Sequence, residues 1–439
     1  MIPRRRKMSR FDLYPLRNGN CLALALKFDS KSVIKDIIEK LKMEVIGLNL
    51  RVEGDMMVEK LDKNIPVHEL PPSSKFESIA QMTEWATSQF LPDISKELAT
   101  LASNDDTVII NINHAVCDGK YIAGIADHLF DKPKKTNCNF FPITFEEEFA
   151  EEIKERKKKS PTFFKSEVNN TILTNLGMKK SGHEKFYDGI FDTKSFSSYD
   201  PKNKKCKNLT ASIVTGFSLS INVLNGNLNI SHVGGSVAAD MRNILKDKKK
   251  NNIKNILLPK GPSNTKYYTG NPITLNHTNI FTNLSMTTNV SPDMKIGECY
   301  NRLNECLKNH FYPNTEDLFD YTCSMGNFNP VGENMYGIMA CFSMLGPIFV
   351  KKPLVDLYLF NMIYTEMVSY AIPFLNYSII DERNNRNEFH SQPRYENNGL
   401  TKEQAIILSK SLGHYLQNFD TNNTISETLK DLKKFQNSL

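Results

Sequence analysis

No Cys-x-x-Cys pair occurs among the eight cysteines of this 439-residue chain, and no cysteine pair joins a histidine pair at zinc spacing. A metal site is therefore not expected. Cysteines scattered from Cys21 to Cys341 read as reduced thiols of an intracellular protein rather than as a disulfide framework. Charge of one sign is also scarce. The 55 basic and 49 acidic residues leave a net charge of +6, too small and too scattered for a nucleic-acid partner but compatible with an anionic small ligand. Long apolar runs are missing as well. The uncharged apolar stretch 335–350 is shorter than a bilayer-spanning helix and contains Gly337, Gly346 and Pro347, while 357–380 is interrupted by Glu366 and Pro373. The basic start, 1–10, leads into Phe11 and Asp12 without an apolar core, so it does not read as a secretory signal. No fixed repeat period is present, which argues against a solenoid. What remains is globular composition, 40% hydrophobic and 24% charged, in a chain long enough for two domains.

Hydrophobic periodicity lays out the elements. Residues 21–28 are an apolar run that reads as a strand, and in 32–45 Val33, Ile34, Ile37, Ile38 and Leu41 share one helical face. Residues 46–52 and 56–61 read as strands around a Glu53-Gly54-Asp55 turn, 77–89 as a helix, and a further helix is expected from near Asp93. The β-branched run 107–113, bounded by Asn104, Asp105 and Asp106, is a strand. Beyond Gly119 the period changes, because Ile122, Ile125, Ala126 and Leu129 fall at helical spacing. A charged stretch, 154–159, followed by Pro161 marks a crossover. The first domain is accordingly placed at 1–160, the crossover at 161–185 and the second domain at 186–439. The second half repeats the α/β texture, with helices over 210–224, 297–310 and 401–419 and strands within 227–239, 335–349 and 357–380.

Chemistry concentrates where the first of these units turns from strand to helix, at His114-Ala-Val-Cys-Asp118-Gly119. An imidazole on such a turn is fixed yet can face a cleft, and its unperturbed pKa suits proton abstraction near neutrality. Asp118 is placed to cap the following helix, and Gly119 removes a side chain where a ligand or second backbone approaches. Cys117 reads as a packed small residue rather than a nucleophile, and the remaining histidines stand singly.

The strand–HxxxDG–helix unit resembles the active-site segment of the chloramphenicol acetyltransferase-like superfamily of CoA-dependent acyltransferases. Three later segments resemble that family in order: Asp240-Met-Arg242 its D-x-R, Gly270-Asn271 its G-N, and Phe342-Ser343-Met344-Leu345-Gly346 with Asp356 its S-N-x-G strand. The plant branch's DFGWG is absent, and Asn113 stands where condensation domains double the histidine. The Asn- and Lys-rich composition resembles most the yeast alcohol acetyltransferases and their amine-acetylating relatives. The resemblance implies an α/β fold of two similar domains with an active-site tunnel between them. CoA would enter from one face and the acceptor from the other, with His114 as base in the middle. It also implies that Asp118 pairs with Arg242 to hold the loop, and it makes Ser343 the candidate oxyanion donor.

The function expected on these grounds is direct transfer of acetyl from acetyl-CoA, a co-substrate, to a hydrophobic alcohol. A long-chain amine such as a sphingoid base is the alternative acceptor, and a non-catalytic ligand-binding relative is the third reading. The Lys246-Asp-Lys-Lys-Lys250 run reads as a solvated loop rather than a CoA-phosphate site, and 335–377 as core with a share in an acceptor pocket. A cytoplasmic monomer is expected, with peripheral association at the endoplasmic reticulum or lipid droplets left open.

Overall fold

Apolar strands separated by amphipathic helices build the first half in the computed structural model, which describes residues 2–17, 19–62, 64–129, 141–159, 184–242, 278–311, 316–324, 339–362, 371–396 and 400–439. A short strand Arg5–Lys7 (β1) and the helix Arg10–Arg17 (α1) precede Cys21–Phe28 (β2), which is buried along nearly its whole length. Ile34–Glu44 (α2) buries Ile34, Ile37 and Leu41, one stripe of the helix. Leu50–Glu53 (β3) and Met56–Glu59 (β4) form a hairpin whose Gly54, at φ 62°, supplies the left-handed turn residue, and β1 pairs with its β4 edge. Next come Val67–Glu69 (β5), Ile79–Gln89 (α3), Ala99–Ser103 (β6) and Thr107–Asn113 (β7). Gly119–His128 (α4), Phe145–Glu148 (α5) and Ala150–Lys158 (α6) complete this half.

The second half contributes Glu184–Phe186 (β8), Gly189–Asp192 (β9), Leu209–Leu224 (α7), His232–Asp240 (β10), Phe281–Asn289 (β11) and Ile296–Asn309 (α8). After these come Met339–Phe349 (β12), Leu354–Met362 (β13), Ala371–Asp381 (β14), Arg386–Glu396 (β15), Lys402–Asn418 (α9) and Ile425–Gln436 (α10). Helix α7 is apolar on all sides because it is enclosed, packing on β10, α8, α9 and α10.

Two sheets result. The larger runs β11-β10-β12-β14-β15-β8, with β9 also on β15, and β10, β12 and β14 are mutually parallel. The smaller runs β13-β2-β7-β6-β5. Its edge strand β13 comes from the far end of the sequence, pairing antiparallel with β2 from Leu354 opposite Phe28 to Met362 opposite Cys21. The linear division at 160 and 186 therefore does not separate the two sheets. One apolar core follows this exchange, joining Leu24, Leu26 and Ile110 to Leu345, Leu357 and Leu375.

Several elements differ from the sequence reading. The expected strand 46–52 begins as a 3-10 turn, Ile46–Asn49, and becomes extended only at Leu50. Gly47 lets this turn pass close to β6, since a Cβ there would lie 3.1 Å from Ala99 Cβ. No helix starts at Asp93, whose carboxylate instead accepts the N–H and hydroxyl of Ser95 in a tight turn. The strand expected from 227 starts at His232. Strand β15 and helix α10 were not anticipated. The expected crossover up to residue 183, Gly270-Asn271, the lysine run 246–250 and Cys138 lie outside the described residues.

Candidate active site in the seam between the halves

Strand β7 ends at Asn113, and the next three residues wind into a single 3-10 turn, His114–Val116. Asn113 closes that turn, its buried Oδ1 accepting the Ala115 N–H at 2.9 Å. The His114 backbone is held from both halves of the chain. Its N–H donates to Asn20 O at 2.8 Å, and its carbonyl accepts from Asn279 Nδ2 at 2.7 Å. The ring lies against Phe281 with centroids 5.5 Å apart. Nδ1 is buried without a hydrogen-bond partner among the described residues, and His114 lines the adjoining pocket. Burial lowers the pKa of His114 below its ordinary value, outweighing the opposing pull of its own carbonyl and of the Asp118 charge. The imidazole is thus neutral at physiological pH, with one ring nitrogen carrying a lone pair.

Asp118 is buried and fully engaged. Its Oδ1 accepts the Tyr121 N–H at 2.8 Å, capping α4. Its Oδ2 accepts from Arg242 Nη2 at 2.7 Å and from the Ile280 N–H at 2.8 Å, and its own N–H donates to Thr278 O at 2.8 Å. Arg242, 1% exposed, also donates through Nη1 to Asp240 Oδ1 at 2.8 Å. One guanidinium therefore ties the His114 loop to the end of β10 in the other half, a bridge of two carboxylates that a fork-shaped cation suits.

Gly119 opens α4 under a side chain rather than a second backbone. A Cβ built there would lie 2.4 Å from Leu345 Cδ2. Leu345 stands out of β12 at a bulge between Met344 and Gly346, with Gly346 in the left-handed region at φ 81°, and Lys120 Nζ donates to the Leu345 carbonyl. Gly119→Ala is expected to destabilise the protein by about 1–3 kcal/mol, because the buried Leu345 side chain must shift to clear the added methyl group. Urea unfolding of the variant checks this, and a stability equal to wild type would contradict the packing described.

All five residues singled out in the sequence, His114, Asp118, Gly119, Arg242 and Ser343, line one pocket. Ser343 sits on β12 between Ala238 of β10 and Leu375 of β14, and its hydroxyl has no partner among the described residues. The apolar wall is largely aromatic, with Phe11, Phe281, Tyr321 and Phe374 alongside Met344 and Leu375. Phe11 reaches it from α1, stacked on Phe145 at 5.3 Å and edge-on to Phe281 at 5.2 Å. Sequence reasoning missed Phe11, Asn20 and Asn279. Each lies far along the chain from His114 or from the other half, and an asparagine in an Asn-rich sequence carries no local signal. Cys117 is fully buried, and burial, with the Asp118 charge adding to it, pushes its thiol well above the ordinary range, opposite to the need of a nucleophile. Among the described residues no group of three or more His, Cys, Asp or Glu could hold a metal, and no helix is long and apolar enough to cross a membrane.

No protein-family model matches the sequence, and no curated protein matches it. Solved structures do. The first condensation domain of the CDA synthetase matches with TM-score 0.64 at 10% identity, over 97% of this chain and 98% of that one. A mutant starter condensation domain of the rhizomide synthetase RzmA in complex with C8-CoA gives 0.62 at 9% identity over 97% of both chains. Polyketide synthase associated protein 5 from Mycobacterium tuberculosis gives 0.61 at 11% identity over 94% and 98%. Identity this low establishes the shape and nothing finer. The chain has the two-lobed α/β fold of the condensation domains over nearly its whole length, with its pocket in the seam between the lobes.

Proposed function

We propose that the protein is a CoA-dependent acyltransferase that moves an acyl group, acetyl in the simplest case, from a CoA thioester to a hydrophobic acceptor. The observation that carries this reading is a neutral His114 lining an apolar-walled pocket. The acceptor hydroxyl gives its proton to the imidazole as its oxygen attacks the thioester carbonyl. The tetrahedral intermediate then breaks its C–S bond, and the imidazolium returns the proton to the departing thiolate, giving CoA thiol and ester. No covalent enzyme intermediate is needed, because holding both substrates against one base supplies the acceleration. Asp118 and Arg242 do not touch substrate in this scheme; they hold the loop. Ser343, with its free hydroxyl on the pocket wall, is the proposed donor to the developing oxyanion. The complex of a starter condensation domain with C8-CoA supports a CoA thioester as donor.

A hydrophobic alcohol is the leading acceptor, and a long-chain amine is the second, since one base serves both and the aromatic wall suits either chain. A cytoplasmic monomer belongs to the same proposal. The test is thiol release from acetyl-CoA by purified protein across a panel of medium-chain alcohols and long-chain amines. Acceptor-dependent release is expected, and the preferred acceptor chooses between the two. Folded protein that releases no thiol with any acceptor or acyl donor would leave the non-catalytic reading in its place.

A further inference from the structure

Strand β13, at the edge of the smaller sheet, has its outer side closed by side chains of the larger one. Leu359 N–H donates to Tyr377 Oη at 3.2 Å, and the Leu359 carbonyl accepts from Tyr377 Oη at 3.1 Å and from Gln392 Nε2 at 3.0 Å. Tyr358 donates its hydroxyl to Asp188 Oδ2 at 2.8 Å, and Arg386 Nη1 donates to Asp356 Oδ1 at 2.6 Å. These contacts join β13 to β14, to β15 and to the link between β8 and β9. The same two strands also wall the pocket, β13 through Asn361 and β14 through Leu375, each two residues from a joined one.

His390 stands in the middle of this joint. It is 2% exposed, and its ring lies flat on Tyr377, with 4.7 Å between centroids and 2° between planes. Its Nδ1 meets Asp188 Oδ2 at 3.1 Å. Its Nε2 lies 3.7 Å from Glu388 Oε2, an ion-pair distance without a hydrogen bond. Three carboxylates surround the joint, and Arg386 serves two of them, Asp356 and Glu388, at 2.6 Å each. Asp188 is left with Tyr358, Gln392 and His390, of which only His390 can carry a positive charge.

We infer that His390 is a proton-operated fastener of the seam: protonated, it ties Asp188 to β15 and holds β13 against the larger sheet, and when it loses its proton that edge loosens. Burial opposes the imidazolium, but Asp188 and Glu388 outweigh burial, so the pKa of His390 is raised above its ordinary value. The fastening is therefore complete below pH 6.5 and is lost as pH climbs through the folded value. The other ionisable groups around the ring do not replace this charge. Burial raises the hydroxyls of Tyr358 and Tyr377 far above neutrality, so both stay neutral. Arg394 lays its guanidinium on the Phe360 ring at 4.1 Å and donates to Gln392. Asp192, opposite Glu388 on β9, is exposed and accepts the Lys194 N–H, while Glu84 of α3 acts on the cluster through Tyr358 and Arg394.

Hydrogen–deuterium exchange of the β13 segment, corrected for the intrinsic effect of pH, reads the joint without turnover and so stands apart from the acyltransferase reading. Between about pH 5.5 and about pH 9 the wild-type segment is expected to exchange faster by about tenfold for each pKa unit by which folding raises His390. In His390→Gln the segment should exchange quickly at both ends of that range. Glu388→Gln alters a partly exposed side chain and keeps the ring in place. Its rise in exchange is expected to begin at lower pH, because one of the two carboxylates that favour the imidazolium is gone. A proton NMR titration of the His390 ring, assigned by its displacement in Glu388→Gln, should have its midpoint above 6.5 in wild type. A midpoint at or below 6.5, or the same corrected exchange profile in wild type and Glu388→Gln, would overturn the inference.

Discussion

Replacing His114 by alanine is expected to lower acceptor-dependent thiol release from acetyl-CoA by about 10²–10⁴-fold, the usual contribution of a positioned acid–base group. The loss should fall on kcat with little change in KM, since the ring's reactive nitrogen makes no bond that holds a ground state. The loop itself should survive, because the contacts that fix it are made by the His114 backbone to Asn20 and Asn279 and by Asp118. The same burial that keeps the ring neutral gives the experiment a pH signature. With the folded pKa below 6.5, the acid limb of kcat/KM lies below that value and the rate is flat through neutrality. The stability consequence has a definite sign. Below pH 6.5 the unfolded chain binds a proton at His114 that the folded chain refuses, so stability is lost as pH falls through 6.5 toward the folded pKa. Urea unfolding of wild type and His114→Ala at about pH 7 and about pH 5 should show the smaller acid-induced loss in the variant. Equal thiol release by wild type and variant would remove His114 from the mechanism.

Arg242→Ala should be the most destabilising single change, by about 3–5 kcal/mol, because it leaves a buried carboxylate without its cation. Asp118 and Arg242 are 4% and 1% exposed at their side chains, so neither solvent nor salt can replace the lost partner. Asp240, at 17%, is partly able to turn to solvent, so the penalty concentrates on Asp118. Arg242→Lys keeps the charge but presents one ammonium to two carboxylates that a guanidinium meets through separate nitrogens. An intermediate loss is therefore expected. Activity should fall with stability, since Asp118 is the joint between the His114 turn and α4. Denaturant midpoints for the three proteins, read with kcat under folded conditions, check both statements. An Arg242→Ala loss below about 1 kcal/mol would mean the pair is solvated or replaceable, contrary to its burial.

How much of this could be read from the sequence depends on how local the determinants are. The strand, turn and helix that carry His114 were legible because a β-branched run, an Asp cap and an i, i+3, i+4 apolar face lie within 107–129. Strand β15 escaped notice because its buried positions include His390, Ser391, Gln392 and Arg394, so polarity no longer tracks exposure. Those side chains are inside because they satisfy one another across strands: Ser391 donates to Asn376, and His390 meets Asp188. Helix α10 carries a local signal in its Thr424–Glu427 capping box. Within the site, the HxxxDG residues announced themselves by spacing. Asn279, 165 positions from His114, could be found only once the chain was folded.

The exchange of β13 into the smaller sheet ties assembly to the order of synthesis. Until Leu354–Met362 has left the ribosome, β2 is an open edge, its backbone donors and acceptors free to pair with any extended chain nearby. At about 5–20 residues per second, the interval between Phe28 and Leu354 is on the order of a quarter-minute to a minute. The first half cannot finish before the second has largely been made. A nascent chain cut anywhere between the two strands would carry a bare β2 edge, the kind of surface that chaperones exist to cover.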